Sequence, residues 1–165
     1  MELKKVFKII GIIGLILIIL DQTSKIAISE CMKEDISLIP NDILTITKMK
    51  NEGMAFGLNK TNLGNIGLSI IILIVIFNYV VAQKNRLTKP VVIYLSLIIA
   101  GGISNVIDRI FKGAVFDFIQ IGSFPVFNFA DAFIVCGWLL FVIHFVIETA
   151  IDIKAEIPVK KDKTK

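Results

Sequence analysis

Four aspartates hold most of the chemistry this chain could do. Asp21 follows the first apolar run and Asp108 closes the third. Asp117 stands between the third and fourth, and Asp131, within "FNFADAF", opens the fourth. Carboxylates at the edges of apolar runs are costly unless they are paired or put to use. Two carboxyl groups held close together do not both ionise easily, so they share one proton. One can then take a proton from water while the other gives one to a carbonyl oxygen. Such a pair hydrolyses an amide with neither a metal nor a covalent intermediate. Spacing alone does not choose which two of the four would pair. Asp108 is adjacent to Arg109, which suggests a structural salt bridge.

Other machinery is missing from the sequence. There is no HExxH, no glycine-rich phosphate loop and no Ser–His pair with a third partner, so neither metal nor cofactor is expected. The lone His144 lies deep in an apolar run and reads as a packing or interfacial residue. Cys31 and Cys136 form no CxxC, which argues against a disulfide framework or a zinc site, and Cys136 is expected to pack between helices. Basic clusters flank the hydrophobic runs instead of interleaving with aromatics, so no nucleic-acid partner is expected. A purely structural reading also accounts for the polar groups. Asp21 and Lys25, at i and i+4, could form an interfacial ion pair. Asn128 could cap the fourth helix, with Asp131 near N3 favoured by the helix dipole. A transporter would need carboxylates nearer mid-span, and an anchoring protein would need only the ion pairs.

The elements that must position these residues follow from composition. The chain has 165 residues, is 55% hydrophobic and carries a net charge of +4. Its mean hydropathy is +0.80, high for a soluble domain. Four apolar segments approach the roughly 20 residues that cross a bilayer core of about 30 Å. They predict an all-α integral membrane protein with four transmembrane helices, at about 6–25, 66–82, 91–108 and 131–148, in a single domain over 1–165. Lys4, Lys5 and Lys8, then Lys84, Arg86 and Lys89, then the lysines of the tail at 152–165, lie on one side of such a bundle. The positive-inside rule puts that side, with both termini, in the cytoplasm. "DQTSK" after the first helix offers no A-x-A-like cleavage site, so that helix is read as a retained anchor. Loops 29–65 and 110–130 then face outward. Within them "ILTITKMK" (Ile43–Lys50) and "VFDFIQI" (Val115–Ile121) predict strands of a small outer β-sheet, and "NEGMAFG" predicts a turn. The basic tail is expected near anionic lipid. All the unusual polar groups gather at the outer helix ends.

Five blocks in order resemble the lipoprotein signal peptidases, or signal peptidase II, across nearly the whole chain. They are "DQTSK", "NEGMAFG", "GGISNVIDR", "GAVFDF" and "FNFADAF". Each is weak alone, and the set is highly specific. The resemblance implies an aspartic endopeptidase of the bacterial cytoplasmic membrane, acting near the outer face without a cofactor. Its substrate would be a diacylglyceryl-modified prolipoprotein, cut on the amino side of the lipidated cysteine. The family's catalytic pair falls on Asp117 and Asp131. Asn51 and Gly53 of the N-x-G block, with Asn105, Arg109 and Asn128, would bind substrate or hold the pair. Asp21 and Lys25 would support the site, and Asp108 would be structural. The resemblance also implies a monomer surrounded by membrane phospholipid. Two departures are visible: Ser104, where the family usually has Gly, and Met54, where Ala is common.

Overall fold

The computed structural model of the protein describes residues 1–53 and 62–156. It holds four helices, α1 (Leu3–Cys31), α2 (Asn62–Ala82), α3 (Lys89–Lys112) and α4 (Phe129–Glu156). At one end of the bundle lies a three-stranded antiparallel sheet of β1 (Ile36–Ile39), β2 (Leu44–Asn51) and β3 (Val115–Ile121), in that order. The rest of the "NEGMAFG" block after Gly53, including Met54, and the tail beyond 156 lie outside the described residues.

Three helical stretches, Leu63–Ala82, Lys89–Lys112 and Phe129–Ile153, are long and apolar enough to cross a membrane. The fourth helix, α1, carries an apolar stretch from Ile9 to Leu20 between Lys8 and Asp21, and it buries Asp21 and Lys25. Large apolar side chains such as Leu15, Val75, Phe77 and Phe145 point outward, as suits a lipid-facing surface. Within its span α3 is 44% buried, against 11% for each of the other two. It is the central helix, packed on α1, α2 and α4. Two glycines let α4 approach it closely. A Cβ at Gly101 would collide with the Ala130 carbonyl oxygen and lie 2.7 Å from Ile134 Cγ1. One at Gly137 would lie 2.7 Å from the Tyr94 carbonyl oxygen.

The two ends of the bundle differ in kind. Away from the sheet, Val6, Val80, Leu87, Val91, Val92, Leu95 and Ile98 form an apolar core. The Met1 ammonium donates to the Lys84 carbonyl there, so the N-terminus and the α2–α3 connection share that end. Toward the sheet, the buried residues are mostly polar: Asp21, Lys25, Ser104, Asn105, Asp108, Asp117 and Asn128.

Every helix runs beyond its predicted span, because hydropathy marks where lipid could end and not where helical hydrogen bonding stops. α1 continues to Cys31, and α4 continues to Glu156, into the stretch expected to be tail. The two predicted strands are present, and β1 joins them. β1 is only four residues long and exposed throughout, so it had no alternating pattern to betray it. Cys136 lies on the exposed face of α4 and not in helix packing. His144 packs edge-on against Tyr94 at 5.9 Å, away from the polar end.

Candidate active site

The sheet brings the first carboxylate to the bundle. α3 stops at Gly113, whose φ of 75° is a left-handed conformation that glycine adopts without a Cβ penalty. The chain turns straight into β3, which returns over the helix end. β2 pairs with β3 so that Met49 faces Asp117 and Asn51 faces Val115. Asn51 and Asp117 are thus diagonal neighbours. Asn51 Nδ2 donates to Asp117 Oδ2 at 2.9 Å, while Asn51 Oδ1 accepts from the Gly53 backbone N–H at 3.1 Å. Gly53 therefore fixes the amide that holds Asp117.

After a turn through Gly122, the chain folds back on β3. Phe127 O accepts from Phe118 N and Ile119 N, and Phe127 N donates to Ile119 O. This return sets Asn128 beside Asp117, and Asn128 Nδ2 donates to Asp117 Oδ1 at 2.6 Å. Asn128 also caps α4. Its Oδ1 accepts from the Asp131 N–H at 2.9 Å, and Asp131 Oδ2 accepts from the Asn128 N–H at 3.3 Å. This reciprocal pair is a capping box. The structural reading of Asp131 is correct as far as it goes. The same carboxylate also reaches outward to the cavity and to α3.

Asn105 of α3 connects the two acids. Its Nδ2 donates to Asp131 Oδ1 at 2.7 Å, and its Oδ1 accepts from Asn128 Nδ2 at 3.2 Å. Asp117 and Asp131 are therefore joined through two asparagine amides. Both line a cavity of about 280 Å³ together with Asn51, Asn105 and Arg109. Its remaining walls are apolar, from Val115 and Phe124 through Phe127 on the loop to Ile134 and Val135 on α4. Burial pushes the Asp117 carboxyl up to about 6, and the neighbouring Asp131 adds to the rise. The Asn51 and Asn128 amides oppose it. Such a group gains and loses its proton near neutrality, as acid–base work on an amide requires.

Behind the cavity lies a buried ionic layer. Lys25 bridges Asp21 Oδ2 at 2.7 Å and Asp108 Oδ2 at 2.6 Å, and donates to Asn105 Oδ1 at 3.2 Å. Asp108 takes a second cation, Lys112, at 2.8 Å. The expected Asp108–Arg109 bridge is thus replaced by Lys25 and Lys112, because adjacent residues on a helix do not face each other. Arg109 instead lines the cavity. Asp21 Oδ1 accepts from the Ala130 N–H at 2.9 Å, so α1 holds the first turn of α4.

All ten sequence-predicted residues fall in this one region: Asp117, Asp131, Asn51, Asn105 and Arg109 on the cavity, with Gly53, Asn128, Asp21, Lys25 and Asp108 holding those. Sequence reasoning missed Gln22 and Lys112. Gln22 Nε2 donates to Asp108 Oδ1 at 3.1 Å and to Ser104 Oγ at 3.0 Å. Lys112 had a signal, its i+4 spacing from Asp108. Gln22 had none beyond its place in "DQTSK". Among the described residues no cluster of three or more His, Cys, Asp or Glu could hold a metal ion.

Comparisons with known proteins show the family. A family model described as signal peptidase (SPase) II matches residues 13–147. A lipoprotein signal peptidase of Halothermothrix orenii is 36% identical over 136 residues, covering 81% of this chain and 92% of that protein. One from Syntrophomonas wolfei is 40% identical over 134 residues, covering 78% and 87%. A solved structure described as a bacterial membrane enzyme superposes with a TM-score of 0.79 at 32% identity, covering 92% of this chain and 94% of that one.

Proposed function

The chain belongs to the signal peptidase II family of bacterial membrane proteases, and on that premise we propose that Asp117 and Asp131 are the pair with which it removes signal peptides from prolipoproteins. The observation that carries this assignment is the single cavity into which both carboxylates open, with Asn105 and Asn128 joining them from behind. Asp21 and Asp108 are instead consumed by Lys25 and Lys112.

A water between the two acids attacks the scissile carbonyl carbon. Asp131, in the first turn of α4 where the helix dipole favours its ionised form, takes the water's proton, and Asp117 gives its proton to the carbonyl oxygen. The tetrahedral diol then collapses. Asp131 returns its proton to the leaving amide nitrogen, the C–N bond breaks, and a diol hydroxyl restores the proton of Asp117. Neither acid forms a bond to the substrate. Asn51, Asn105 and Arg109 present hydrogen-bonding groups to the substrate backbone around the same cavity.

The substrate class is the diacylglyceryl-modified prolipoprotein, cut on the amino side of the lipidated cysteine. A lipid-bearing substrate lies at fixed depth in the bilayer, and a site at the helix ends under a sheet suits a bond presented at the membrane surface. The distribution of lysines supports cytoplasmic termini, with the sheet and the site at the outer face. The family resemblance supports a monomer surrounded by phospholipid.

The test is cleavage of a purified diacylglyceryl-modified prolipoprotein in detergent, followed by gel shift. Wild type should cut, Asp117→Asn and Asp131→Asn should be inactive while folded, and Asp108→Asn should be slowed or unstable. A folded wild type that leaves intact a substrate cut by another lipoprotein signal peptidase would sink the assignment.

A further inference from the structure

Buried and half-buried hydroxyls on these helices bond to their own helix. Ser96 donates to Val92 O at 2.7 Å, and Ser69 donates to Asn65 O at 2.8 Å, each one turn back. Ser104 breaks this habit. It is 1% exposed, and its hydroxyl crosses to α1, donating to Asp21 Oδ2 at 2.7 Å and accepting from Gln22 Nε2 at 3.0 Å. Its proton and an oxygen lone pair are therefore committed to two consecutive residues of another helix.

Asp21 is the side chain on which the first turn of α4 hangs. Its Oδ1 receives the Ala130 N–H, one residue before Asp131. Its Oδ2 receives Ser104 and Lys25. Lys25 is also drawn to Asp108 at 2.6 Å and to Asn105. Ser104 is the donor to Asp21 Oδ2 for which no second carboxylate competes. Without it, the carboxylate is held on that side by a shared ammonium alone and is freer to rotate away from the Ala130 N–H.

We infer that Ser104 is a positioning residue for Asp131, acting through Asp21 and the first turn of α4. The inference rests on the reading of Asp117 and Asp131 as the reacting pair, and it explains a residue that stands where the family resemblance expects glycine. A base must lie within hydrogen-bond reach of the proton it takes, so small displacements are costly to rate and cheap to binding.

The experiment uses the full-length protein in detergent with two readouts. The first is kcat and KM for a diacylglyceryl-modified prolipoprotein. Ser104→Ala should lower kcat per folded molecule about tenfold, the loss of one hydrogen bond to a charged group, with KM unchanged. Gln22→Leu removes the group donating to the hydroxyl, together with its bonds to Asp108 Oδ1 and Lys112 Nζ, but keeps the Ser104–Asp21 bond, and should cost less than Ser104→Ala. In an Asp21→Asn background, Ser104→Ala should cost nothing more. The second readout is amide hydrogen exchange, which needs no activity. Exchange at Ala130 should quicken in Ser104→Ala while exchange at Val92, in the apolar core, stays as in wild type. Unchanged kcat, a loss that tracks the unfolded fraction, or unchanged exchange at Ala130 would each overturn the inference. An inactive wild type with quickened Ala130 exchange would instead overturn the catalytic assignment and leave Ser104 as an anchor for α4 only.

Discussion

The bundle has two buried ends built on opposite rules. Away from the sheet, Val6, Val80, Val92 and Leu95 meet by shape alone. At the sheet end, Asp21, Lys25, Ser104, Asn105, Asp108 and Asn128 meet by directed bonds in which each group answers a particular neighbour. An apolar contact tolerates a small loss by collapsing, whereas a buried ion that loses its partner stays charged or unfolds the region. The apolar end can drift in sequence. The polar end is fixed in position, and position is what the proposed pair of acids needs.

Six substitutions test that contrast, beginning with the largest expected effect. Asp131→Asn and Asp117→Asn should each lower kcat by about a thousandfold or more, the range expected for removing a general acid or base. Circular dichroism should report an intact helical fold, since the change removes a charge and keeps the shape. Gly101→Ala comes next. Its Cβ would collide with the Ala130 carbonyl, shifting the first turn of α4 and with it Asp131. A loss of about a hundredfold in kcat/KM is expected, as for a displacement of about 1 Å, measured beside a thermal melt. Wild-type rate in that variant would mean that the site tolerates movement.

Lys25→Met strips Asp21 and Asp108 of their shared cation. It should cost about 3–5 kcal/mol of stability, read from unfolding in detergent. At the other end, Val92→Ala should cost about 2 kcal/mol, less than Lys25→Met, and leave kcat per folded molecule unchanged. If Val92→Ala altered kcat as strongly as Lys25→Met altered stability, the division between the ends would fail.

The smallest effect is in pH dependence. Asp117 is proposed to react in its protonated form, so kcat/KM should fall as pH rises through about 6. The Asn51 amide favours the ionised form, so Asn51→Ala should move this fall to higher pH. Stability carries the matching sign. The carboxyl sits above its ordinary 3.8 in the folded chain, so its protonation favours folding. That contribution is complete below 3.8 and fades as pH climbs through about 6.

Much of this was legible in the sequence, for reasons that differ by residue. Apolar runs mark the helices because lipid demands them. Asn128 and Asp131 declare a capping box by their spacing, a local pattern that periodicity alone can show. The asparagine bridge between the acids is carried by Asn105, and its partners come from α1, α4 and the loop before it. No spacing rule encodes such contacts, and the resemblance gathered those residues before geometry could. Where neither local pattern nor resemblance helped, the sequence misled. Asp108 beside Arg109 looked like a pair, and Ser104 showed only as a departure from the family's glycine.

The long reach of the ionic layer bears on how the protein is made. Asp21 and the Ala130 N–H that it holds lie 109 residues apart, and Lys25 and Asp108 lie 83 apart. When the first helix leaves the ribosome, Asp21 and Lys25 have only each other, and their i, i+4 spacing lets them pair at once and ease entry of α1 into the bilayer. Asp108 joins them when the third helix arrives. Asp131 comes only with the fourth, so an unfinished chain in the membrane carries no complete acid pair. On the proposed assignment of the pair, the protease stays silent until its last helix is in place, and a nascent fragment does not cut the polypeptides inserting beside it.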